Sequence, residues 1–327
     1  MIVKVSVIIP VYKVERFIVK CAESLLAQTL DEVEFIFVDD ASPDNSMKLL
    51  QACIEKYPQR KSCVQIIHHS ENKGLPAARN SGLAVASGEY VFHCDSDDFA
   101  DNNMLEVLYQ MATEHSADIV WCDWYLSFEK NERYMKQPRY ATPMEALKGM
   151  LSGAMKFTVW NKLVKRSLYV DNHIDFPAGY GMGEDMTMML LFSCAEKVHY
   201  LPRAFYHYVK LNTDAFTQTF SERHLIDLKY NVHRIETYMK AKYGTELDKE
   251  IAFLKLDVKF PLLISNNSNK YRIWKKLYPE ADAYIGKNML ISKRATLIQW
   301  CAWKGVFVVV RLHYFLLQKI VYGIIYR

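Results

Sequence analysis

A run of carboxylates at residues 93–98, His-Cys-Asp-Ser-Asp-Asp, carries the clearest chemical signal in this sequence. Asp95, Asp97 and Asp98 would repel one another and stay ionised only with a cation among them. Mg²⁺ and Mn²⁺ prefer such hard oxygen ligands, and phosphate oxygens commonly complete their coordination. The alternative is a solvated acidic turn, the usual fate of an isolated Asp-x-Asp. The run therefore predicts a divalent cation site that needs independent support.

The elements around this run predict where it lies. Four continuous apolar segments are typical of buried strands, at 3–9, 33–38, 64–67 and 90–94. Helical patterns separate them, which indicates β-α-β units and a parallel, three-layer sheet. Ligands bind such sheets beyond the carboxyl ends of the strands. Tyr12, the pair Asp39-Asp40 and the acidic run all follow strands, so we expect them at one edge.

Glycine loops that bind phosphate are missing from the sequence. Only 12 of the 327 residues are glycine, and neither Gly-x-Gly-x-x-Gly after the first strand nor Gly-x4-Gly-Lys-Ser/Thr occurs. The alternating glycines at 179–183 follow no strand, so we interpret them as a flexible loop. A nucleotide would instead need a metal on its diphosphate and side chains on its base. Suitable side chains occur at the strand ends: Tyr12, Asp40, Arg79, Asp95 and Asp97.

The composition fits a globular protein of a reducing compartment. Half of the residues are hydrophobic and 13% are aromatic. The seven cysteines include no Cys-x-x-Cys pair, which argues against a disulfide scaffold or a zinc site. The N-terminus runs into a strand without a signal-peptide pattern, so we expect a cytoplasmic body. The histidines lack metal-ligand spacing, and His207 is expected to be a hydrogen-bonded strand residue.

Four short blocks together resemble glycosyltransferase family 2. In order they are 6–12 (SVIIPVY), 37–42 (FVDDAS), 72–80 (NKGLPAARN) and 95–98 (DSDD). Two weaker blocks, 160–162 (WNK) and 183–185 (GED), are similar to segments of bacterial members that build surface polysaccharide. Beyond about residue 215 the resemblance is thin.

The resemblance implies an α/β protein with a GT-A fold, a three-layer α/β/α nucleotide-diphospho-sugar transferase domain. We expect this domain over 1–215, with a nucleotide-binding half at 1–100 and an acceptor half at 101–215. Helical patterns such as 225–243 predict a mainly helical C-terminal region over 216–327.

The resemblance also implies a donor site. The donor would be a nucleotide-diphosphate sugar, most simply a UDP-sugar, bound with Mn²⁺ or Mg²⁺. By position, Pro10 and Tyr12 would line the nucleoside pocket, Asp40 would bind the base, and Arg79 would contact base or phosphate. Asp95 and Ser96 would lie against the ribose and diphosphate, and Asp97 would ligate the metal. Without the resemblance, Asp40 could be a turn residue and Arg79 a charge on a helix surface.

The pair Glu184-Asp185 matches the catalytic block. The resemblance implies that Asp185 is the base that accepts the proton of the acceptor hydroxyl, with Glu184 beside it. A single displacement with one base inverts the anomeric centre, and a metal would stabilise the leaving diphosphate. The alternative is that both acids merely favour the N-terminus of a helix predicted at 184–195.

The end of the chain has an unusual charge pattern. Residues 283–327 contain no Asp or Glu but seven basic residues: Lys287, Lys293, Arg294, Lys304, Arg311, Lys319 and Arg327. Because the segment is also apolar, the pattern favours anionic membrane lipid over nucleic acid as its partner. Its uncharged runs are shorter than the ~20 residues that span a bilayer, so we expect an in-plane amphipathic helix over 296–327. The alternative is a pair of core helices.

Together these patterns predict a cytoplasmic, inverting hexosyl- or N-acetylhexosaminyltransferase at the inner face of the cell membrane. Its acceptor would be a glycan or a polyprenyl-linked sugar of surface-polysaccharide synthesis. Two rival classes are a non-catalytic sugar-nucleotide-binding scaffold and a nucleotidyltransferase. The intact acidic residues argue against the scaffold. A nucleotidyltransferase usually has a glycine-rich first loop, which residues 10–13 lack.

Overall fold

The computed structural model describes residues 3–210 and 221–320. Within these ranges one mixed sheet contains nine strands. They are β1 (Val5–Val11), β2 (Val33–Asp39), β3 (Val64–His68), β4 (Tyr90–His93), β5 (Phe99–Ala100), β6 (Ile119–Ser127), β7 (Glu132–Met135), β8 (Lys162–Lys165) and β9 (Val198–Val209). Their spatial order is β3-β2-β1-β4-β8-β6-β9-β5, with β7 beside β6.

Twelve α-helices occur in the same described ranges. Those between the strands are α1 (Ile18–Leu26), α2 (Ser46–Ile54), α3 (Leu75–Val85), α4 (Met104–Glu114), α5 (Pro143–Leu151), α6 (Arg166–Asp171) and α7 (Thr187–Cys194). The remainder follow the last strand: α8 (Glu222–Tyr243), α9 (Asp248–Lys259), α10 (Ser268–Lys276), α11 (Lys293–Trp303) and α12 (Phe307–Leu316).

The first half of the sheet confirms the predicted β-α-β units. β1 lies between β2 and β4 and is parallel to both, with Val5 opposite Val33 and Tyr90. Every residue of β1 is buried, because helices and neighbouring strands surround it. Since the parallel strands end at the same edge, residues after Val11, Asp39 and His93 come close together. This edge is the one on which the sequence placed the donor site.

The second half of the sheet corrects the prediction of an all-parallel sheet. β8 is antiparallel to both β4 and β6, whereas β6 and β9 are parallel. His207 is a hydrogen-bonded residue of β9, as predicted, but the full extent of β9 and the strands β7 and β8 were not predicted, because they lack long apolar runs. β7 is mostly exposed, β8 has only four residues, and β9 contains exposed residues at Pro202 and Arg203. The apolar patterns that mark the first strands are therefore weak here.

The C-terminal region is mainly helical, as predicted, and its first two helices pack on the main core. Leu228, Val232 and Met239 of α8 and Leu254 of α9 belong to the hydrophobic cluster of the sheet. A second cluster starts at Leu262 and is built from residues of α10, α11 and α12. The predicted boundary at 215/216 lies outside the described residues, so this division remains a prediction.

Up to residue 320 the basic tail forms two helices, whereas the sequence favoured one in-plane helix and gave a pair of core helices as the alternative. α11 ends at Trp303 and α12 begins at Phe307, and between them Gly305 adopts a φ of +80°, which favours glycine and ends the first helix. Ile298, Cys301 and Val310 are buried in the second cluster. Within 3–210 and 221–320, no helix is both long and apolar enough to cross a bilayer.

Candidate active site

Three of the predicted donor residues lie at the ends of β1 and β2. Pro10 is buried within β1 opposite Val38, and Tyr12 follows the strand with its side chain exposed. Asp40 is buried, and its carboxylate accepts hydrogen bonds from the backbone N–H groups of Lys73 and Gly74, both at 2.8 Å. Its Oδ1 also lies 2.6 Å from Nδ1 of His69. Asp40 therefore fastens the turn before α3, in addition to any contact with a ligand.

The acidic run after β4 is organised by Tyr206 of β9. The Tyr206 hydroxyl donates to Oδ2 of Asp98 at 2.8 Å and accepts from the backbone N–H of Asp95 at 3.0 Å. The other oxygen of Asp98 accepts from the N–H of Val209 at 2.7 Å. Burial and the nearby charges of Asp97 and Asp95 raise the pKa of Asp98 well above its usual range. Asp98 is thus a buried structural acid.

Ser96 and Asp97 occupy the middle of this run. Ser96 is buried, whereas Asp97 is half-buried at the surface of the site. Asp98 bonds inward to β9 and Asp95 bonds to Arg79, whereas part of the surface of Asp97 reaches solvent.

Arg79 joins the donor residues to the predicted catalytic pair. Its Nη2 lies 2.9 Å from Oδ1 of Asp95, and its Nη1 lies 2.6 Å from Oδ1 of Asp185 and 3.3 Å from Oε1 of Glu184. The side chain is 1% exposed, so it is not a charge on a helix surface. Burial by itself would lower the pKa of Arg79, but the three carboxylates raise it above its ordinary value. Residues about 100 positions apart in sequence thus meet at one guanidinium.

Three carboxylates, those of Asp95, Glu184 and Asp185, share the single positive charge of Arg79. Burial, with the charge of Asp185, raises the pKa of Glu184 to about 8. Burial also raises the pKa of Asp95 to about 6; Arg79 opposes this rise, and Asp97 and Asp185 add to it. A divalent cation would relieve this excess of negative charge, so the residues present fit Mn²⁺ or Mg²⁺. In the described parts of the chain, no three His, Cys, Asp or Glu side chains already stand in metal-binding geometry.

The loop before Glu184 is held by α8, which corrects its interpretation as a flexible loop. Asp227 accepts from the N–H of Gly181 at 3.1 Å, and the Asn231 side-chain amide donates to the carbonyl of Met182 at 3.0 Å. The rings of Tyr180 and Tyr230 stack with centroids 3.6 Å apart. α8 therefore fixes the segment that leads into the acidic pair.

Sequence reasoning missed one buried cation close to the site. Lys162, in the weaker Trp-Asn-Lys block, is 1% exposed and donates to the carbonyls of Lys156 and Thr158 and to the side-chain oxygen of Asn161. Burial lowers the pKa of Lys162 to about 7, against the opposing influence of Asp185. The block was visible in the sequence, but its burial and its proximity to Asp185 were not.

Comparison with known proteins agrees with this architecture. The fold is of the GT-A type, and residues 6–183, more than half of the chain, match the description Glycosyl transferase family 2. The chain belongs to glycosyl transferase family 2. The uncharacterized glycosyltransferase EpsJ of Bacillus subtilis is 33% identical over 67% of this chain. That alignment spans 64% of EpsJ, which is less than two thirds of its length.

Solved structures support the fold over most of the chain. The S. aureus TarS fragment 1–349 in complex with UDP-GlcNAc has a TM-score of 0.69 at 19% identity, covering 95% of this chain and 92% of that one. The mannosyltransferase PcManGT of Pyrobaculum calidifontis, in complex with GDP-Man and Mn²⁺, has a TM-score of 0.53 at 16% identity, with 95% and 86% covered. At these identities the likeness concerns the fold.

Proposed function

We propose that this protein is an inverting glycosyltransferase that moves a hexosyl or N-acetylhexosaminyl group from a UDP-sugar to a glycan or polyprenyl-linked acceptor. The observation that carries the proposal is the contact of Arg79 with both Asp95 and the Glu184-Asp185 pair. It brings the acidic run after β4 next to a second acidic pair at the carboxyl edge of the sheet. A sugar transferase would use the acidic run for the donor diphosphate and the acidic pair for the acceptor hydroxyl. The UDP-GlcNAc complex of the similar TarS fragment favours uridine as the nucleoside.

The transfer step needs a proton acceptor, and Asp185 is our candidate. Its Oδ1 lies 2.6 Å from Nη1 of Arg79, so the guanidinium orients the carboxylate. The acceptor hydroxyl would lose its proton to Asp185 as its oxygen attacks the anomeric carbon. The bond to the diphosphate breaks on the opposite face, which inverts the centre. Because its pKa is raised, Glu184 would be largely protonated at neutral pH and would lie beside the base.

Donor binding would use the residues at the ends of β1, β2 and β4. Pro10 and Tyr12 would line the nucleoside, Asp40 would bind the base, and Asp95 and Ser96 would lie near the ribose and diphosphate. Asp97 would hold Mn²⁺ or Mg²⁺, which when bound supplies positive charge to the leaving diphosphate. The Mn²⁺ in the PcManGT complex supports a metal of this kind. Since Arg79 is buried under carboxylates, we assign it mainly to positioning them.

The C-terminal helices would bring the enzyme to the inner face of the cell membrane, with the sheet domain in the cytoplasm. Several large apolar side chains of α11, α12 and the turn between them are exposed: Leu297, Trp300, Trp303, Val306, Val308, Leu312 and Phe315. Basic residues Lys293, Lys304 and Arg311 belong to the same segment. Aromatic rings with basic side chains suit the interface of an anionic bilayer. The other face of these helices is buried, as the predicted core alternative requires. We therefore propose that one face of α11 and α12 packs on the core and the other contacts lipid.

A donor screen tests the proposal. Purified protein with Mn²⁺ would be incubated with UDP-, GDP- and TDP-sugars, and we expect slow hydrolysis of one UDP-sugar and a raised melting temperature. NMR of the released sugar would show the inverted anomer before mutarotation. The Asp97→Ala variant is the control and should lose the metal dependence of both signals. In a separate incubation with UTP and a sugar 1-phosphate, release of pyrophosphate would instead identify a nucleotidyltransferase, and binding of a UDP-sugar without any turnover would identify a scaffold.

A further inference from the structure

A second cleft lies beside α8, the helix that holds the loop before the acidic pair. It has a volume of about 460 Å³, within the range of small-molecule sites, and lies between α8 and the turn at residues 172–174. One wall is formed by Tyr230, His233, Arg234 and Tyr238 of α8, and the facing wall includes Asn172 and His173. Nothing in the proposed donor site uses these side chains.

The lining has the chemistry of a carbohydrate site. Tyr230 is 41% exposed although it is aromatic, and its ring is held in place by the stack on Tyr180. Sugar rings place their C–H faces on such aromatic rings, and their hydroxyl pairs bind planar polar groups. Asn172, His173 and His233 supply such groups at the cleft. Two tyrosines and several planar polar side chains therefore match a saccharide better than a purely apolar ligand.

Arg234 provides a charged donor in the lining of the cleft. Its Nη1 donates to Oγ1 of Thr187 at 3.0 Å, and its Nη2 donates to the backbone carbonyl of Asp175. No carboxylate among the described residues lies within ion-pair distance of it, and burial lowers the pKa of the guanidinium. A guanidinium has five N–H donors, so donors remain for a ligand after these two bonds.

The residues that line the cleft contact the chain segments on both sides of the acidic pair. Thr187, which Arg234 contacts, is two residues after Asp185. Tyr230 stacks on Tyr180 in the loop that leads to Glu184, and Asn231 of the same helix binds that loop. A ligand in the cleft would therefore touch the helix that positions the catalytic segment.

We propose that this cleft binds a saccharide, namely the part of the acceptor chain behind the sugar that reacts. The inference rests on the proposed function, since it names where that acceptor is held. Acceptor length would then matter, because a chain long enough to reach Tyr230 and His233 gains contacts that a single sugar lacks.

The test is binding of the full-length protein to an array of defined bacterial surface oligosaccharides. We expect a subset of glycans to bind, and Tyr230→Ala and His233→Ala each to weaken that binding about tenfold, the effect of losing one or two ligand contacts. Both side chains are exposed, so the variants should fold. Ile226→Ala, at another exposed position of α8, is the matched control and should bind normally.

Hydrolysis of the UDP-sugar in the same variants separates the two proposals. It does not need an acceptor, so it should stay at the wild-type rate in His233→Ala, whereas Tyr230→Ala also removes the stack on Tyr180 in the loop before Glu184 and should slow it. The cleft proposal is overturned if the wild type binds no glycan, or if binding is unchanged in both variants. If glycans bind through the cleft but no nucleotide sugar is turned over, the cleft remains a saccharide site and the proposed enzymatic function fails.

Discussion

Asp185 and Glu184 are adjacent in sequence but differ in their contact with Arg79. Asp185 lies 2.6 Å from Nη1, whereas Glu184 lies 3.3 Å from it and has a raised pKa. Burial and the charge of Asp185 raise the pKa of Glu184, so the pair divides into an acid that is largely protonated at neutral pH and an aspartate held closely by Arg79. This division supports Asp185, rather than Glu184, as the base.

Replacement of the base should separate binding from chemistry. In Asp185→Asn the amide cannot accept a proton, so we expect transfer to fall by about 10²–10⁴-fold. Donor affinity should change little, because the amide can still accept a hydrogen bond from Arg79. Initial rates with saturating donor and a titration with UDP would measure the two quantities. If donor affinity falls while the transfer rate is unchanged, Asp185 binds the donor and is not the base.

Glu184 should make stability depend on pH in an unusual direction. Its pKa rises from 4.5 in the unfolded chain to about 8 in the fold, so the folded protein holds a proton that the unfolded chain releases. Stability from this group is complete below about pH 4.5 and is lost as pH rises towards about 8. Glu184→Gln mimics the protonated acid and should not show this loss. The melting temperature of the wild type relative to Glu184→Gln should therefore fall across this window; parallel curves would refute the assignment.

At the level of elements, α8 holds the loop that carries the acidic pair. Asn231→Ala removes the bonds to the partly buried carbonyls of Tyr180 and Met182. We expect a loss of about 1–3 kcal/mol in the free energy of unfolding, together with slower transfer at unchanged donor affinity. Chemical denaturation and steady-state kinetics would measure both effects.

The control for this variant lies on the same helix. Lys229→Ala changes an exposed residue and should behave as the wild type in both measurements. If Asn231→Ala lowers stability but leaves the transfer rate intact, α8 supports the fold without positioning the catalytic segment.

The sequence predicted the elements that carry strong periodic signals. The parallel strands β1–β4 agree with the structure because long apolar runs define them locally, and α8 covers the helical pattern predicted at 225–243. The antiparallel strand β8 depends on its pairing with β4 and β6, which the local sequence does not show. The break at Gly305 depends on the conformation of a single turn. The blocks around the site could be identified in the sequence. Their contacts could not, because Arg79 reaches partners 16 and 106 residues away.

At the scale of the whole molecule, the surface formed by α11 and α12 should determine where the protein lies in the cell. We expect sedimentation with phosphatidylglycerol vesicles, weaker binding to phosphatidylcholine, and a decrease at high salt, since each nearby Lys or Arg contributes about 1 kcal/mol. Val308→Ser with Leu312→Ser should weaken binding to both vesicles, because both side chains are exposed on one face of α12.

Substitution is a sharper test than deletion of the tail. Removal of residues 296–327 would take Ile298, Cys301 and Val310 out of the second hydrophobic cluster and expose Trp274. Ile226→Ser, at an exposed apolar position of α8, is the control and should leave vesicle binding unchanged. If the α12 variant binds vesicles as well as the wild type does, the exposed apolar face does not contact lipid.

The position of Arg79 limits how this chain can be recombined with its relatives. The guanidinium belongs to the first hundred residues, whereas Glu184 and Asp185 belong to the second, so any exchange of halves cuts through a buried ion network. Loss of one partner from such a network costs about 3–5 kcal/mol, a large part of the stability of a domain. Chimeras built to change donor or acceptor preference should therefore carry Arg79, Asp95 and the acidic pair from the same parent.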